Sequence, residues 1–433
     1  MSEYNKLVAL DGISAGRFGS SVAISGTTAL VGDPEGIVFD QSIVPGVAHL
    51  YDTTTGAELF RLIASDARDL DLFGSSVAIS GTTAVVGAPQ SDSGIGDFDP
   101  GYVYLFDTAT GQELFRLSAS DAGDGDEFGA AVAVSGSTLV VGAPSNTGNG
   151  LDSGAVYLFD MTTGQQLARF TAWNAGVNDR FGASVAIVDT TVIVGAPGRN
   201  VSGADTGAAY FIDTVAGQQI VVTAYDGSPG DEFGISVAMT DTTAIVGARG
   251  NDVAANDGGS VYLFDVVTRQ AVAPFRIIPS DVAQFDRFGS SVAMFGTTAV
   301  ISSPESLGFT GSVYAYDITT GERLLNLVPT DQDTGDEFGY SLALAGSTLI
   351  ASAPANDGHG PFSRTGAAYL FDLSAHEPCA ADLTGDGLLN FFDVSAFLTG
   401  YINQDPAYDF DGNGLFNFFD VSAYLNLYSA GCP

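Results

Sequence analysis

Basic residues are scarce in this 433-residue chain: 14 Lys and Arg stand against 51 Asp and Glu, a formal charge of −37. That balance excludes nucleic acid as a partner, because a phosphate backbone needs Lys and Arg to displace its counterions. It leaves a surface that repels itself and attracts cations. Solubility alone accounts for this as well as a charge-selective partner site does. Cysteines number two, histidines three and tryptophans one. The histidines fall in unrelated places: His49 in a strand, His359 in a loop, His376 in a linker. There is no Gly-x-Ser-x-Gly elbow, His-Glu-x-x-His pair or phosphate loop, so no familiar catalytic motif is visible. No apolar run approaches the roughly 20 residues of a membrane helix, so no transmembrane segment is expected. The opening MSEYNKLVAL has no basic stretch followed by an apolar one, so no signal peptide is visible. Hydrophobic residues nonetheless make up 45% of the chain and mean hydropathy is +0.22, which excludes a disordered polyanion.

What is present is a repeat. Phe128 to Pro144, FGAAVAVSGSTLVVGAP, recurs in variant form from Phe18, Phe73, Phe181, Phe233, Phe288 and Phe338, at offsets of 50–55 residues. Seven copies at a near-fixed period signal a repeat architecture. In the second copy, FGSSVAISG and TTAVVGAP read as two strands, followed by a variable polar loop. GYVYLFD, a turn, and ELFRLSAS complete it. The period-2 patterning and β-branched enrichment give four strands per repeat, a to d. An all-β, seven-bladed propeller is therefore expected, with the small-residue SVAI strand innermost. The 55 glycines fit its many tight turns. The last repeat lacks a strand d, whereas Tyr4 to Leu10 supplies an unmatched strand at the start. That segment is expected to pair with the last strand c and close the ring, removing two exposed sheet edges.

Topology then sorts the connections. The a–b and c–d turns are short and uniform and share one face, the turn face. The b–c and d–a connections share the other, and the b–c loops vary in length and sequence. Variable loops on a rigid scaffold commonly carry binding function, so this loop face is the expected partner surface. An Asp lies two residues before six of the Phe-Gly pairs, at Asp71, Asp126, Asp179, Asp231, Asp286 and Asp336. Asp accepts backbone N–H groups in turns, which favours a structural role over metal ligation. Clusters such as Asp121, Asp124, Asp126 and Glu127, or Asp331, Asp333, Asp336 and Glu337, match no defined calcium loop.

The paired Phe-Gly and Gly-Ala-Pro segments resemble the FG-GAP repeat of integrin α-subunit propellers and related bacterial surface proteins, over about residues 4–374. The unit departs from the pattern at Gly32 (GDP), Gly247 (GAR) and Ser302 (SSP). The family's a–b calcium loops have no counterpart, because every a–b turn here is tight. The resemblance implies a binding or adhesion propeller with its ligand on the variable loops. A fainter likeness to quinoprotein propellers, in VYLFD-x-x-TG, lacks their recurrent Trp; Trp173 stands alone, and cofactor binding is not supported.

Composition changes after His376. We expect a propeller over 1–374, a linker over 375–378 and a module over 379–433. The loops DLTGDGLLNFFD (Asp382 to Asp393) and DFDGNGLFNFFD (Asp409 to Asp420) repeat at an offset of 27 residues. Each matches an EF-hand calcium loop, with oxygen ligands at positions 1, 3, 5, 7, 9 and 12 and Gly at 6. The ligands are Asp382, Thr384, Asp386, Leu388 (carbonyl), Asn390 and Asp393, then Asp409, Asp411, Asn413, Leu415 (carbonyl), Asn417 and Asp420. Two Ca2+ ions are expected. Short amphipathic helices follow, with Val394, Phe397, Leu398 and Tyr401 on one face, and Val421, Tyr424, Leu425 and Tyr428 on the other helix's face.

The tandem resembles a dockerin, of the cysteine-flanked kind that closes secreted proteins of planctomycete-like bacteria. The resemblance implies that Phe391, Phe392, Phe418 and Phe419 help select a cohesin-like partner. Cys379 and Cys432 bracket the module; their placement favours a disulfide over two free thiols, stabilising by about 4 kcal/mol on the chain-entropy model. A disulfide and extracellular-range calcium point to a secreted or cell-surface protein whose leader has been removed. Three functions are weighed: a non-catalytic binding or adhesion protein with a protein or glycan partner; a subunit of a filament or other homo-oligomer built by tail-to-propeller contacts; and a glycoside hydrolase. The last needs two carboxyl groups about 5–9.5 Å apart in a cleft, and the sequence singles out no such pair.

Overall fold

The computed structural model describes residues 3–9, 17–34, 36–37, 43–91, 100–201, 203–357, 365–375, 381, 383–384, 391–410 and 414–430. It divides into two compact units, Met1–Phe371 and Asp372–Pro433.

In the first unit each repeat becomes an antiparallel four-stranded sheet. Blade 3 comprises strands a (Ala131–Ser135), b (Thr138–Ala143), c (Ala155–Asp160) and d (Gln165–Phe170), hydrogen-bonded in that order. Strands b and c carry the apolar and aromatic residues and are buried: Leu139, Val140, Val141, Val156 and Tyr157 are fully covered. Among the described residues there are seven such sheets. Strand a of each touches strand a of the next, and that of blade 7 (Leu342–Ala345) returns to that of blade 1 (Ser21–Ser25). The sheets therefore close into a ring with the small-residue strands innermost.

The opening segment closes it. Asn5–Leu7 pairs antiparallel with strand c of blade 7, Asn5 opposite Leu370 and Leu7 opposite Ala368. The strand is shorter than the Tyr4 to Leu10 expected. Its chemistry also fits the missing position. Lys6 reaches Asp331 at 2.6 Å and Asn356 at 3.0 Å. In blade 3, Arg169 of strand d reaches Asp121 at 2.8 Å and Asn146 at 2.9 Å. A lysine from one end of the unit thus takes the place of a strand-d arginine.

The recurrent motif residues fill the joints between blades. Phe128 packs edge-on against Tyr157 and Phe159 of its own blade, with centroids 5.4 and 5.8 Å apart. It is buried in one cluster with Val103, Leu105 and Leu117 of blade 2. The glycine of Gly-Ala-Pro has a steric reason. Ser76 donates to the Gly129 carbonyl of the next blade at 2.6 Å. A Cβ on Gly87 would lie 2.2 Å from that carbonyl oxygen. Where the motif reads SSP, at Ser302, the joint is rebuilt: the Leu342 N–H donates to Ser291 Oγ at 3.2 Å.

Among its described residues the second unit contains two α-helices, Phe391–Ile402 and Phe418–Ala430. Phe397 and Tyr424 stack at 4.1 Å, nearly parallel, over buried Ala381. Val394, Tyr401, Val421 and Tyr428 pack around them. Leu398 and Leu425, expected on the same faces, are half-exposed. The inward line steps by three and four residues, and these two positions sit about 100° away from Phe397 and Tyr424 around the helix.

Candidate functional site

The loop face is built from two layers, a fixed acidic one beneath a variable one. The Asp two residues before each Phe-Gly accepts the backbone N–H three residues upstream. Asp126 takes Gly123 at 2.8 Å, Asp179 takes Gly176 at 2.7 Å and Asp336 takes Asp333 at 2.7 Å. Asp71, Asp231 and Asp286 do the same with Arg68, Ser228 and Ala283. Several also hold the b–c loop: the amides of Asn146, Asn251 and Asn356 donate to Asp126, Asp231 and Asp336 at 2.8–3.0 Å. These carboxylates lock turns, as their position in the sequence implies. Burial pushes Asp71, Asp126, Asp231, Asp286 and Asp336 above the ordinary carboxylate range.

A second acid position went unread in the sequence. It lies seven residues before each Phe: Asp11, which is outside the described residues, Asp66, Asp121, Asp226, Asp281 and Asp331, with Asn174 as the variant. It gathers a strand-c tyrosine and a strand-d cation. Tyr157 donates to Asp121 at 2.8 Å and Arg169 pairs with it at 2.8 Å. Tyr104 and Arg116 do the same at Asp66, and Tyr262 and Arg276 at Asp226. Burial raises the Tyr157 and Tyr262 phenols, so they stay neutral donors. The signal was available, because the acid and the arginine both recur at the repeat period. The clusters around Asp121 and Asp331 are thus engaged in turns and ion pairs. Among the described residues no group of three or more His, Cys, Asp or Glu is placed to hold a metal ion.

Above this layer, large apolar side chains stand in solvent. Trp173 (69% exposed) and Tyr225 (66%) rise from d–a connections, and Leu151, Val201 and Val253 from b–c loops. Together they run across blades 3 to 5. Isolated exposed apolar residues are ordinary, and the turn face carries Val215, Val267 and Phe295 as well; a run of them on the variable loops is a candidate interaction surface.

The tail loops are described in part. Of the expected ligands, Asp382, Asp386, Leu388, Asn390, Asp411 and Asn413 lie outside the described residues, as do Cys379 and Cys432. Thr384 donates to Asp393 through its hydroxyl at 2.8 Å and its N–H at 3.0 Å, joining positions 3 and 12 of the first loop. In the second loop, Asp409 Oδ2 accepts the Gly414 N–H at 2.7 Å, and Asp420 accepts the Asn417 N–H at 2.7 Å. Gly414 has φ +78°, the turn that position 6 requires. Asp393 and Asp420 are buried, and Asp409 Oδ1 is a buried oxygen without a hydrogen-bond partner. Residues 379–433 contain no Lys, Arg or His, so no basic side chain of the tail can balance these acids. This donor set fits a hard divalent cation. Phe391, Phe418 and Phe419 are exposed; Phe392 lies in the first helix, its side chain outside the described set.

The first unit is thus a seven-bladed β-propeller that offers a loop-built face. The FG-GAP repeat matches residues 1–41, 57–106, 112–159, 165–212, 216–264, 275–316 and 325–371, and the chain belongs to that family. Each matched segment from the second onward runs from strand d of one blade to strand c of the next. The opening strand accordingly stands where strand d begins the other matched segments, and in the ring it completes blade 7. A comparison with curated proteins finds no match. No helix among the described residues is long and apolar enough to cross a membrane.

Proposed function

We propose that this is a non-catalytic binding or adhesion protein, secreted or held at a cell surface, whose partner sits on the loop face. The single observation that carries this reading is the run of exposed apolar side chains over a loop layer whose acids are already committed to turns and ion pairs. FG-GAP propellers commonly bind proteins and commonly work outside the cell, which supports it. The C-terminal unit is a dockerin-like module that binds two Ca2+ ions and presents Phe391, Phe392, Phe418 and Phe419 to a cohesin-like protein. Asp382, Thr384, Asp386, Asn390 and Asp393 would hold one ion, and Asp409, Asp411, Asn413, Asn417 and Asp420 the other, each with the carbonyl at position 7. Bound calcium would neutralise these acids and fix the loops, so the helices keep their phenylalanines presented. Cys379 and Cys432 would tie the ends of the module.

Two experiments test this. The full chain is applied to a panel of purified extracellular proteins and to a glycan array, beside two triple variants. Trp173→Ser, Val177→Ser and Tyr225→Ser alter the loop face; Val215→Ser, Val267→Ser and Phe295→Ser alter the turn face. Binding should be lost only in the first, and equal loss in both would remove the loop face from the argument. Titration calorimetry should count two Ca2+ per chain, and one after Asp409→Ala. Absence of calcium binding would end the dockerin-like reading and leave the propeller reading standing.

A further inference from the structure

Blade 6 breaks a backbone rule that blades 3, 4 and 5 keep at both of its positions. Three residues before each Phe-Gly, the chain takes a left-handed turn, with φ +75° at Gly125, +63° at Asn178, +87° at Gly230 and +98° at Gly335. Two residues before the glycine that opens strand c, a second left-handed position holds Asp152, Asp205 and Asp257, with φ +49° to +52°. Gly, Asn and Asp are the residues that tolerate this region. In blade 6 both positions are phenylalanine: Phe285 at φ +68° and Phe309 at φ +68°. Leu307, in the same turn as Phe309, has φ +54°. Leu70 is the other bulky residue at the first position, and the b–c loop of its blade falls mostly outside the described residues.

Such residues are disfavoured there unless their side chains bury apolar surface in return. These bury only part of it: Phe285 is 48% exposed, Phe309 50% and Leu307 70%. They border one cavity of about 630 Å³ between the connection entering blade 6 and that blade's own b–c loop. The size suits a few side chains of a ligand. The turn that lifts Leu307 and Phe309 is fixed by its own bonds: the Phe309 N–H donates to Glu305 at 3.1 Å and the Gly311 N–H to Ser306 at 3.1 Å. Strain held at an exposed, preorganised site is a mark of function.

The wall also selects a charge. Asp281 and Glu305 line the cavity above Asp286, whose buried carboxyl holds the Ala283 N–H, and no Lys or Arg is among its described lining residues. Asp281 holds Arg323 at 2.7 Å and Glu305 holds Arg287 at 3.3 Å, both in partly exposed pairs that exchange partners at small cost. An acidic or purely apolar ligand gains nothing from this wall. A cation gains from the carboxylates and from the faces of Phe285 and Phe309. We propose that the cavity receives a basic side chain together with an adjoining apolar one, from a segment of a partner protein. This rests on the loop-face reading and adds a contact at blade 6 to it.

Restoring the repeat tests it. Phe285→Gly and Phe309→Asp install what other blades carry, so the double variant should melt no lower than the parent. The probe is a fluorescein-labelled, amidated octapeptide alternating Lys and Leu, titrated at physiological salt by anisotropy against the full chain. Counterparts with Glu for Lys, or Ser for Leu, serve as controls. We expect binding of the Lys/Leu peptide alone, weakened at least tenfold in the double variant. The variant adds a carboxylate, so diffuse charge attraction would leave its binding equal or stronger, and that result overturns the proposal. Equal binding of either control peptide also overturns it. A clear fall in melting temperature would show that the phenylalanines serve packing and would overturn it too. None of these failures touches the triple-variant test of the loop face at blades 3 to 5.

Discussion

The two faces of the propeller use the same residue at the same period in opposite ways. On the turn face, the Asp ending each strand c stays in reach of solvent and accepts bonds from the turn that follows. Asp52 takes the Thr54 hydroxyl at 2.5 Å and the N–H groups of Thr54 and Thr55. The Thr54 hydroxyl and these N–H groups hold its carboxyl below the ordinary range, and equivalent bonds do so for Asp107, Asp160, Asp213, Asp265 and Asp317. On the loop face, Asp71, Asp126, Asp231, Asp286 and Asp336 accept similar bonds, yet burial dominates and their carboxyls rise. Bonding to the charged form is nearly free in water and comes at a desolvation cost beneath a loop layer. The turn face is therefore closed by local chemistry, residue by residue. The loop face is held from below, which frees its upper layer to vary.

Glycine substitution should separate the faces most sharply. Gly154, at φ +82°, has no room for a Cβ, which would lie 2.1 Å from the Phe181 carbonyl oxygen of the neighbouring blade. Gly154→Ala should cost about 3 kcal/mol or more, because backbone must move. Gly136, in an a–b turn at φ +56°, has nothing within 4 Å. Gly136→Ala should cost only the left-handed strain, about 1–2 kcal/mol. Chemical denaturation of the two variants measures the gap, and equal losses would break the contrast between the faces.

The aspartates come next. Asp126→Ala strands the part-buried Gly123 N–H and the buried Asn146 amide and should cost about 2–3 kcal/mol. Asp160→Ala leaves donors that water can satisfy, so its loss should be much smaller in the same assay. Asp126→Asn should fall between Asp126→Ala and the parent.

The smallest effect is in the pH profile, where the signs oppose. A buried loop-face Asp with a raised folded pKa is a burden at neutral pH, relieved as pH falls through that value toward the ordinary 3.8. A turn-face Asp with a lowered pKa contributes stability above about 3.8 that is lost only as pH falls further. The propeller transition should hold or rise slightly from pH 7 to about 5 and drop below about 4. The rise should shrink in Asp126→Asn. A steady decline from pH 7 would mean that the loop-face acids are not held up by burial.

Blade number, strand order and ring closure were legible because they rest on period and on local turn chemistry. The seven Phe-Gly units, the tight a–b turns and the unmatched opening strand lie in plain order along the chain. The division of Asp roles was legible only in part. The acids seven residues before each Phe recur as regularly, but their partners lie 36–50 residues away on strands c and d, and no local pattern joins them. The tail helices were legible as amphipathic segments, but not that Leu398 and Leu425 would turn outward.

By itself, then, the order of residues determined how many sheets form and which strand is innermost, since both depend on neighbours within one repeat, and the count of strands at its two ends determined how the circle is completed. Only the folded ring decided which carboxylates are spent on arginine and tyrosine, which glycines face a neighbouring carbonyl, and that two phenylalanines of blade 6 stand on left-handed backbone beside one cavity. Those outcomes depend on contacts between segments far apart in the chain, and their energies exist only once the blades are packed.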